Sequence, residues 1–135
     1  MSLSPQDALI YLMVVTSAAD TDITAAELDR VGSLVDRLPV FNGYDRNQLS
    51  EVAGQCVEMM GKVDDLERVL DVVLDALPER LHDTAYAVAV EIAAVDLELE
   101  QEELRWLEMI RDRLSLDRLT TAAIEVAARA RLRKA

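Results

Sequence analysis

The chain has 135 residues, 51% of them apolar, with 26 acidic against 14 basic side chains and a formal charge of −12. Such a length suits one domain, residues 1–135, that buries about two thirds of its unfolded surface, and this apolar content argues against disorder. The charge repels phosphate backbones and anionic lipid, which disfavours nucleic acid and anionic membrane as main partners and favours cations or a basic protein surface.

Helix signals follow one another from the start. Ser4-Pro5 sets an N-cap and a proline at the first helical position, with Asp7 in the first turn. Ala8, Leu12, Val15 and Ala19 then recur at helical spacing, to an end near Asp20. Thr24 and Glu27 fit a capping box for a second helix with Leu28, Val31, Leu34, Val35 and Leu38 inward, stopped by Pro39. Asn42-Gly43 marks a loop, after which Asp45 and Gln48 open a third helix striped by Leu49, Val52, Ala53, Cys56, Val57 and Met60, with Gly61 at its end.

Asp64 and Glu67 cap a short fourth helix lined by Leu66, Val69, Leu70, Val73 and Leu77. Pro78 opens a fifth, which is apolar nearly all round to about Val95 and is therefore expected at the centre of the fold. The sixth carries Leu104, Leu107, Ile110 and Leu114 inward, with Trp106 on its flank. The seventh starts near Asp117 and turns Leu119, Ala123, Val126 and Ala130 inward. About seven helices joined by short loops predict an all-α bundle.

One stretch recurs. Shifting Ala18–Leu28 by 76 positions places Asp20 on Asp96, Asp22 on Glu98, Ile23 on Leu99, Glu27 on Glu103 and Leu28 on Leu104. The match continues to Val31 on Leu107, Leu34 on Ile110 and Leu38 on Leu114. The spacing predicts two helix–acidic turn–helix units related by a pseudo-twofold, with the third and fourth helices filling the connection.

A carboxylate where a helix ends opposes the helix dipole, so acids placed there twice ask for a reason. Carboxylates at positions one, three and eight supply hard oxygen ligands for Ca²⁺ or Mg²⁺: Asp20, Asp22 and Glu27 in one copy, Asp96, Glu98 and Glu103 in the other. Turn formation and helix capping account for the same residues without an ion. The spacing is not that of an EF-hand, whose sixth and twelfth positions need glycine and glutamate; counted from Asp20 these are Ala25 and Val31, and from Asp96, Gln101 and Leu107.

At these residues the chain resembles the TerB family of tellurite-resistance proteins and the related TerB-like domains, marked by an Ala-Asp-Gly-x-hydrophobic-x-x-x-Glu turn in each half. Ala19–Glu27 supplies one copy and Val95–Glu103 the other, with Thr21 and Leu97 in place of the family glycine. The resemblance implies a helical fold, a cation-binding acidic site, and a role in bacterial responses to tellurite and other toxic agents within membrane-associated complexes.

Other residues suggest no catalytic centre. Cys56, the only cysteine, falls on an apolar stripe and reads as a buried, inert thiol; His82, the only histidine, reads as a surface or capping residue. No disulfide framework and no His/Cys zinc site is available within one chain. Glu91 interrupts the apolar run Ala85–Val95, where it is either a buried acid or a bundle-edge residue. Tyr11, Trp106 and Met109 read as core or half-buried. Arg129, Arg131, Arg133 and Lys134 complement the last helix's dipole and would suit an acidic partner.

With no nucleophile or general base beside the acids, the chain reads as non-enzymatic. The N-terminus lacks a signal-peptide pattern, and no apolar run approaches the ~20 residues that span a bilayer, so a cytoplasmic protein is expected. Two functional readings follow. One is a divalent-cation-binding stress-response domain; the other is an interaction module docking a basic partner with no specific metal.

Overall fold

The computed structural model describes residues 3–18, 23–62, 66–93 and 101–135, the side chains of 101–103 excepted. Among these residues there are seven α-helices and no strand: α1 (Pro5–Ser17), α2 (Ala25–Arg37), α3 (Leu49–Lys62), α4 (Leu66–Ala76), α5 (His82–Ala93), α6 (Gln101–Leu114) and α7 (Arg118–Leu132). Short 3-10 turns occupy Pro39–Phe41, Arg46–Gln48 and Glu79–Leu81. Among the described residues no helix is long and apolar enough to cross a membrane. The all-α architecture is the one the periodicity predicts. The chain divides into two compact units, Met1–Pro78 and Glu79–Ala135.

The first unit is built around α1. Ser4 Oγ accepts the Asp7 N–H at 3.0 Å, and Pro5 occupies the first helical position. Every residue from Ala8 to Thr16 is buried, so α1 is a core helix on all sides rather than an amphipathic one. Thr16, the one polar residue in that run, turns its hydroxyl back onto Leu12 O at 2.7 Å. A 13-residue helix has little stability alone; packing on α2, α3 and α4 supplies it, at about 1.5–3 kcal/mol for each large apolar side chain buried. Those neighbours contribute Val31, Leu34 and Val35, then Leu49, Val52, Ala53, Cys56 and Met60, then Val69, Leu70 and Val73.

The loop after α2 is tied back to the start of α1. Gln6 Nε2 donates to Val40 O at 3.1 Å, and Tyr44 OH donates to Asp7 Oδ1 at 3.0 Å. Gly43 takes φ +82°, which is what its place in the Asn-Gly turn requires. Three details of the sequence reading change here. Asp45 caps a 3-10 turn that runs into α3, Gly61 lies within α3 rather than beyond it, and Leu66 is exposed because it opens α4. Asp64 lies outside the described residues.

The second unit is built around α5, which packs on α6 and α7. The 3-10 turn Glu79–Leu81 follows Pro78 and feeds α5, whose Ala85, Tyr86, Val88, Ala89, Val90, Ile92 and Ala93 are buried, as expected for a helix apolar nearly all round. On α6, Leu107, Ile110 and Leu114 point inward as predicted. Trp106 is buried, in keeping with its reading as core or half-buried, whereas Leu104, expected inward, is exposed.

The phase of α7 differs from the sequence reading. Asp117 caps the helix by accepting the Thr120 N–H at 2.8 Å, as expected. Yet Leu119, Ala123, Val126 and Ala130 all face solvent, and Thr121 and Ala128 are the buried positions. The cause is polar. Glu125 accepts the Tyr86 hydroxyl at 2.6 Å and lies 3.9 Å from Arg111 Nη1, while Arg131 pairs with Glu91. These partners on α5 and α6 rotate the face bearing Thr121, Glu125 and Ala128 inward.

Candidate functional site

The two acidic elbows are the candidate site. Of the six proposed ligands, Asp20, Asp22, Asp96 and Glu98 lie outside the described residues, and so does the side chain of Glu103; Glu27 is described. The helices that flank each elbow are also described, and they define what the elbows join.

The first elbow connects α1 to α2, which pack against each other. The last turn of α1 closes with the Ala18 N–H donating to Val14 O at 2.8 Å. Beyond the elbow, Thr24 Oγ1 accepts the Glu27 N–H at 3.1 Å and Glu27 Oε1 accepts the Thr24 N–H at 2.9 Å, completing the predicted capping box. One oxygen of Glu27 is therefore committed to the helix start. Ser17 Oγ, in the last turn of α1, is buried and has no hydrogen-bond partner among the described residues.

The second elbow connects α5 to α6, which also pack against each other. The flanking helices are in step with the first pair. Shifted by 76 positions, Ser17 at the end of α1 falls on Ala93 of α5, and Ala25 at the start of α2 falls on Gln101 of α6. Burial follows the same register at most positions. Leu9, Ile10, Leu12, Met13 and Val14 correspond to Ala85, Tyr86, Val88, Ala89 and Val90, and Val31 and Leu34 to Leu107 and Ile110, all buried, whereas the buried Ala8, Tyr11 and Val15 fall on the half-buried Thr84, Ala87 and Glu91.

The six residues named from the sequence are all carboxylates, which are hard oxygen donors. Carboxylates alone serve Ca²⁺ or Mg²⁺, whereas soft metals need thiolate or imidazole donors. Among the described residues no three His, Cys, Asp or Glu side chains come together as a metal-binding group.

The remaining candidates have structural roles. The Cys56 thiol is buried, donates to Tyr11 O at 3.6 Å, and has its pKa pushed up to about 12 by burial, so it stays protonated and unreactive. His82 sits against the C-terminal turn of α6, its Nδ1 3.4 Å from Leu114 O. Glu91 is mostly covered and paired with Arg131, so it is a bundle-edge acid with a partner. The Tyr86–Glu125–Arg111 cluster is the constellation that sequence reasoning missed. Its members lie on three helices, and no spacing along the chain links them. Burial, and then the bond to Glu125, raises the Tyr86 pKa well above that of an ordinary phenol.

Comparison of the chain with protein-family profiles, with curated proteins and with solved structures finds no match.

Proposed function

We propose that this chain is a non-enzymatic, TerB-like cytoplasmic domain that holds a divalent cation, Ca²⁺ or Mg²⁺, at its acidic elbows and acts in a response to tellurite or other chemical stress. What supports this reading is the doubling of the elbow: two acidic connections of equal spacing, each joining helices that pack together and match in most of their buried apolar positions. Asp20, Asp22, Asp96, Glu98 and Glu103 would hold the ion, with Glu27 contributing the oxygen its capping bond leaves over. A bound cation would relieve repulsion among these carboxylates and so stabilise the helix pairs. A partner in a membrane-associated stress complex would act on the folded, cation-loaded domain.

The test is calcium and magnesium titration followed by calorimetry and thermal melting, with sodium chloride of equal ionic strength as the control. Saturable heat and a rise in Tm that Asp20→Asn with Asp96→Asn abolishes are expected. A Tm that responds equally to the monovalent salt would refute the cation site.

A further inference from the structure

α7 has two apolar faces, and one of them is uncovered. Thr121 and Ala128 are buried against the second unit's own core, with Ile124 and Leu132 half-buried beside them. On the opposite side Leu119 is 81% exposed and Val126 60%, with Ala123 and Ala130 exposed in the same row. Steps of four, three and four residues align these four side chains in one stripe along the helix. Scattered exposed apolar residues need no explanation, but a continuous stripe marks an interaction surface.

The stripe borders a groove. A cleft of about 490 Å³ runs between α5 and α7, where Ala87, Leu119, Ala123 and Ile124 make its apolar wall and Asp83 and Thr84 its polar end. A helical ridge beside an apolar cleft is the shape that receives the side chains of an amphipathic helix.

Charge indicates the occupant. From Arg118 onward the chain has five basic residues and one acid, in a molecule whose net charge is −12. The acid, Glu125, is turned inward onto Tyr86, and Arg131 is paired with Glu91. Arg118, Arg129 and Arg133 are exposed and have no ion pair among the described residues. Their spacing, eleven and then four residues, sets them along one margin of the stripe. Asp83 stands near the Leu119 end, across the cleft. The face is therefore apolar along its centre, cationic along one margin, where Asp112 lines the same cleft as Arg118, and acidic at the Leu119 end.

We propose that this face of α7 docks an acidic amphipathic helix of another protein. Its apolar side chains would pack on Leu119, Ala123, Val126 and Ala130 and enter the cleft, and its carboxylates would lie along Arg118, Arg129 and Arg133. The end of the partner that meets Asp83 carries no acid. Within a Debye length the exposed arginines dominate for a short acidic helix lying along the strip, whereas a bilayer or a second copy is extended and also meets the net negative charge of the whole chain.

The proposal is tested on the full chain with a labelled, helix-forming peptide of about 20 residues carrying a leucine stripe flanked by glutamates. Two control peptides replace the glutamates with lysines or the leucines with serines. Fluorescence anisotropy measures affinity, and methyl NMR follows Leu119 and Val126. The acidic peptide is expected to bind, to shift both methyl signals, and to weaken as salt rises. Leu119→Ser with Val126→Ser, exposed changes whose fold is checked by circular dichroism, should weaken it about tenfold or more. Arg129→Glu with Arg133→Glu should weaken it similarly and make the lysine peptide the better ligand. Equal affinity for the lysine peptide on the native chain, no binding of the acidic peptide at millimolar concentration, or affinity unchanged in both variants would each overturn the proposal. So would concentration-dependent dimerisation in sedimentation, or retention on phosphatidylserine vesicles, that the Leu119→Ser, Val126→Ser variant abolishes; these would assign the face to a second copy or to lipid.

Discussion

The Tyr86 hydroxyl, carried on α5 at the core of the second unit, donates to Glu125 Oε2 on α7 at 2.6 Å, and Arg111 Nη1 of α6 approaches the same oxygen at 3.9 Å. One carboxylate thus ties the second unit's three helices together. Tyr86→Phe keeps the ring and removes the donor to a half-buried carboxylate, which should cost about 1.5–3 kcal/mol. Urea unfolding of the variant against the native chain measures it.

The same bond predicts a pH dependence. Burial and the Glu125 carboxylate raise the Tyr86 pKa above its ordinary value of 10.0, so the folded state holds the phenolic proton more tightly than the unfolded chain does. A group with a raised folded pKa contributes stability that is complete below the unfolded value and is lost as pH climbs from there toward the folded one. Stability should therefore begin to fall above about pH 9, where the buried Cys56 thiol would ionise only in the unfolded chain, and fall more steeply above about pH 10, where Tyr86→Phe should flatten part of the fall. Tyr44, raised by burial and by its bond to Asp7, gives the same sign, so Tyr44→Phe should flatten a further part. Chemical denaturation from pH 8.5 to 11 for the native chain and both variants checks the slopes.

Cys56 should be silent to thiol reagents in the folded chain. It is fully buried against Tyr11 O on α1, the core helix of the first unit, and its pKa of about 12 leaves almost no thiolate at neutral pH. Labelling by a chromogenic disulfide is expected to proceed only as the first unit opens, and so to accelerate with urea in step with unfolding. Prompt stoichiometric labelling in buffer would show that the thiol is accessible.

Ile110 and Leu119 separate what the sequence reveals from what it hides. Both are apolar residues at helical spacing, and that spacing predicts both inward. Ile110 is fully buried and Leu119 is 81% exposed. Ile110→Ala should cost about 2–5 kcal/mol and Leu119→Ala less than about 0.5 kcal/mol, read from paired denaturation curves. Three caps were legible because they depend on neighbours in the chain, Ser4 with Asp7, Thr24 with Glu27 and Asp117 with Thr120, whereas the 3-10 turns that delay the starts of α3 and α5 to Leu49 and His82 were not. The phase of α7 was not, because its alanine-rich sequence is apolar on nearly any face and the choice is made by Tyr86 and Glu91 on another helix. Burial on all sides of α1 was half-legible, since Leu9, Ile10, Met13 and Val14 fill the positions between the four that were read as its stripe. The acidic elbows were legible as a repeated pattern, and of their carboxylates the described residues place only Glu27, in its cap.

Two glycines of the first unit should respond differently to alanine. A Cβ at Gly54 meets nothing within 4 Å, so Gly54→Ala should gain the full helix-propensity difference of about 1 kcal/mol. A Cβ at Gly32 would fall 2.1 Å from Arg46 Nη2, the far end of a flexible side chain. Arg46 would swing aside and give up its 3.0 Å bond to Asp36, an exposed pair worth about 0–1 kcal/mol. The two effects nearly cancel, so Gly32→Ala should leave stability within about 1 kcal/mol of the native value. Thermal melts of the two variants side by side decide it: a large loss in Gly32→Ala would mean that Arg46 is held there by more than Asp36.

The capping box offers a way to separate structure from ion binding at the first elbow. Thr24→Ala removes the acceptor for the Glu27 N–H and should cost about 1 kcal/mol of stability. Glu27→Gln keeps a side-chain oxygen able to accept the Thr24 N–H, so the box persists while the charge is lost. If the elbow binds a divalent cation partly through Glu27, Glu27→Gln should lower the affinity for calcium more than Thr24→Ala does, although Thr24→Ala destabilises the chain more. If Glu27 only caps α2, calcium affinity should be the same in both variants. Calorimetric titration with calcium, paired with urea denaturation of the same samples, distinguishes the two roles, because stability and affinity would then rank the variants in opposite orders only when the carboxylate serves the ion.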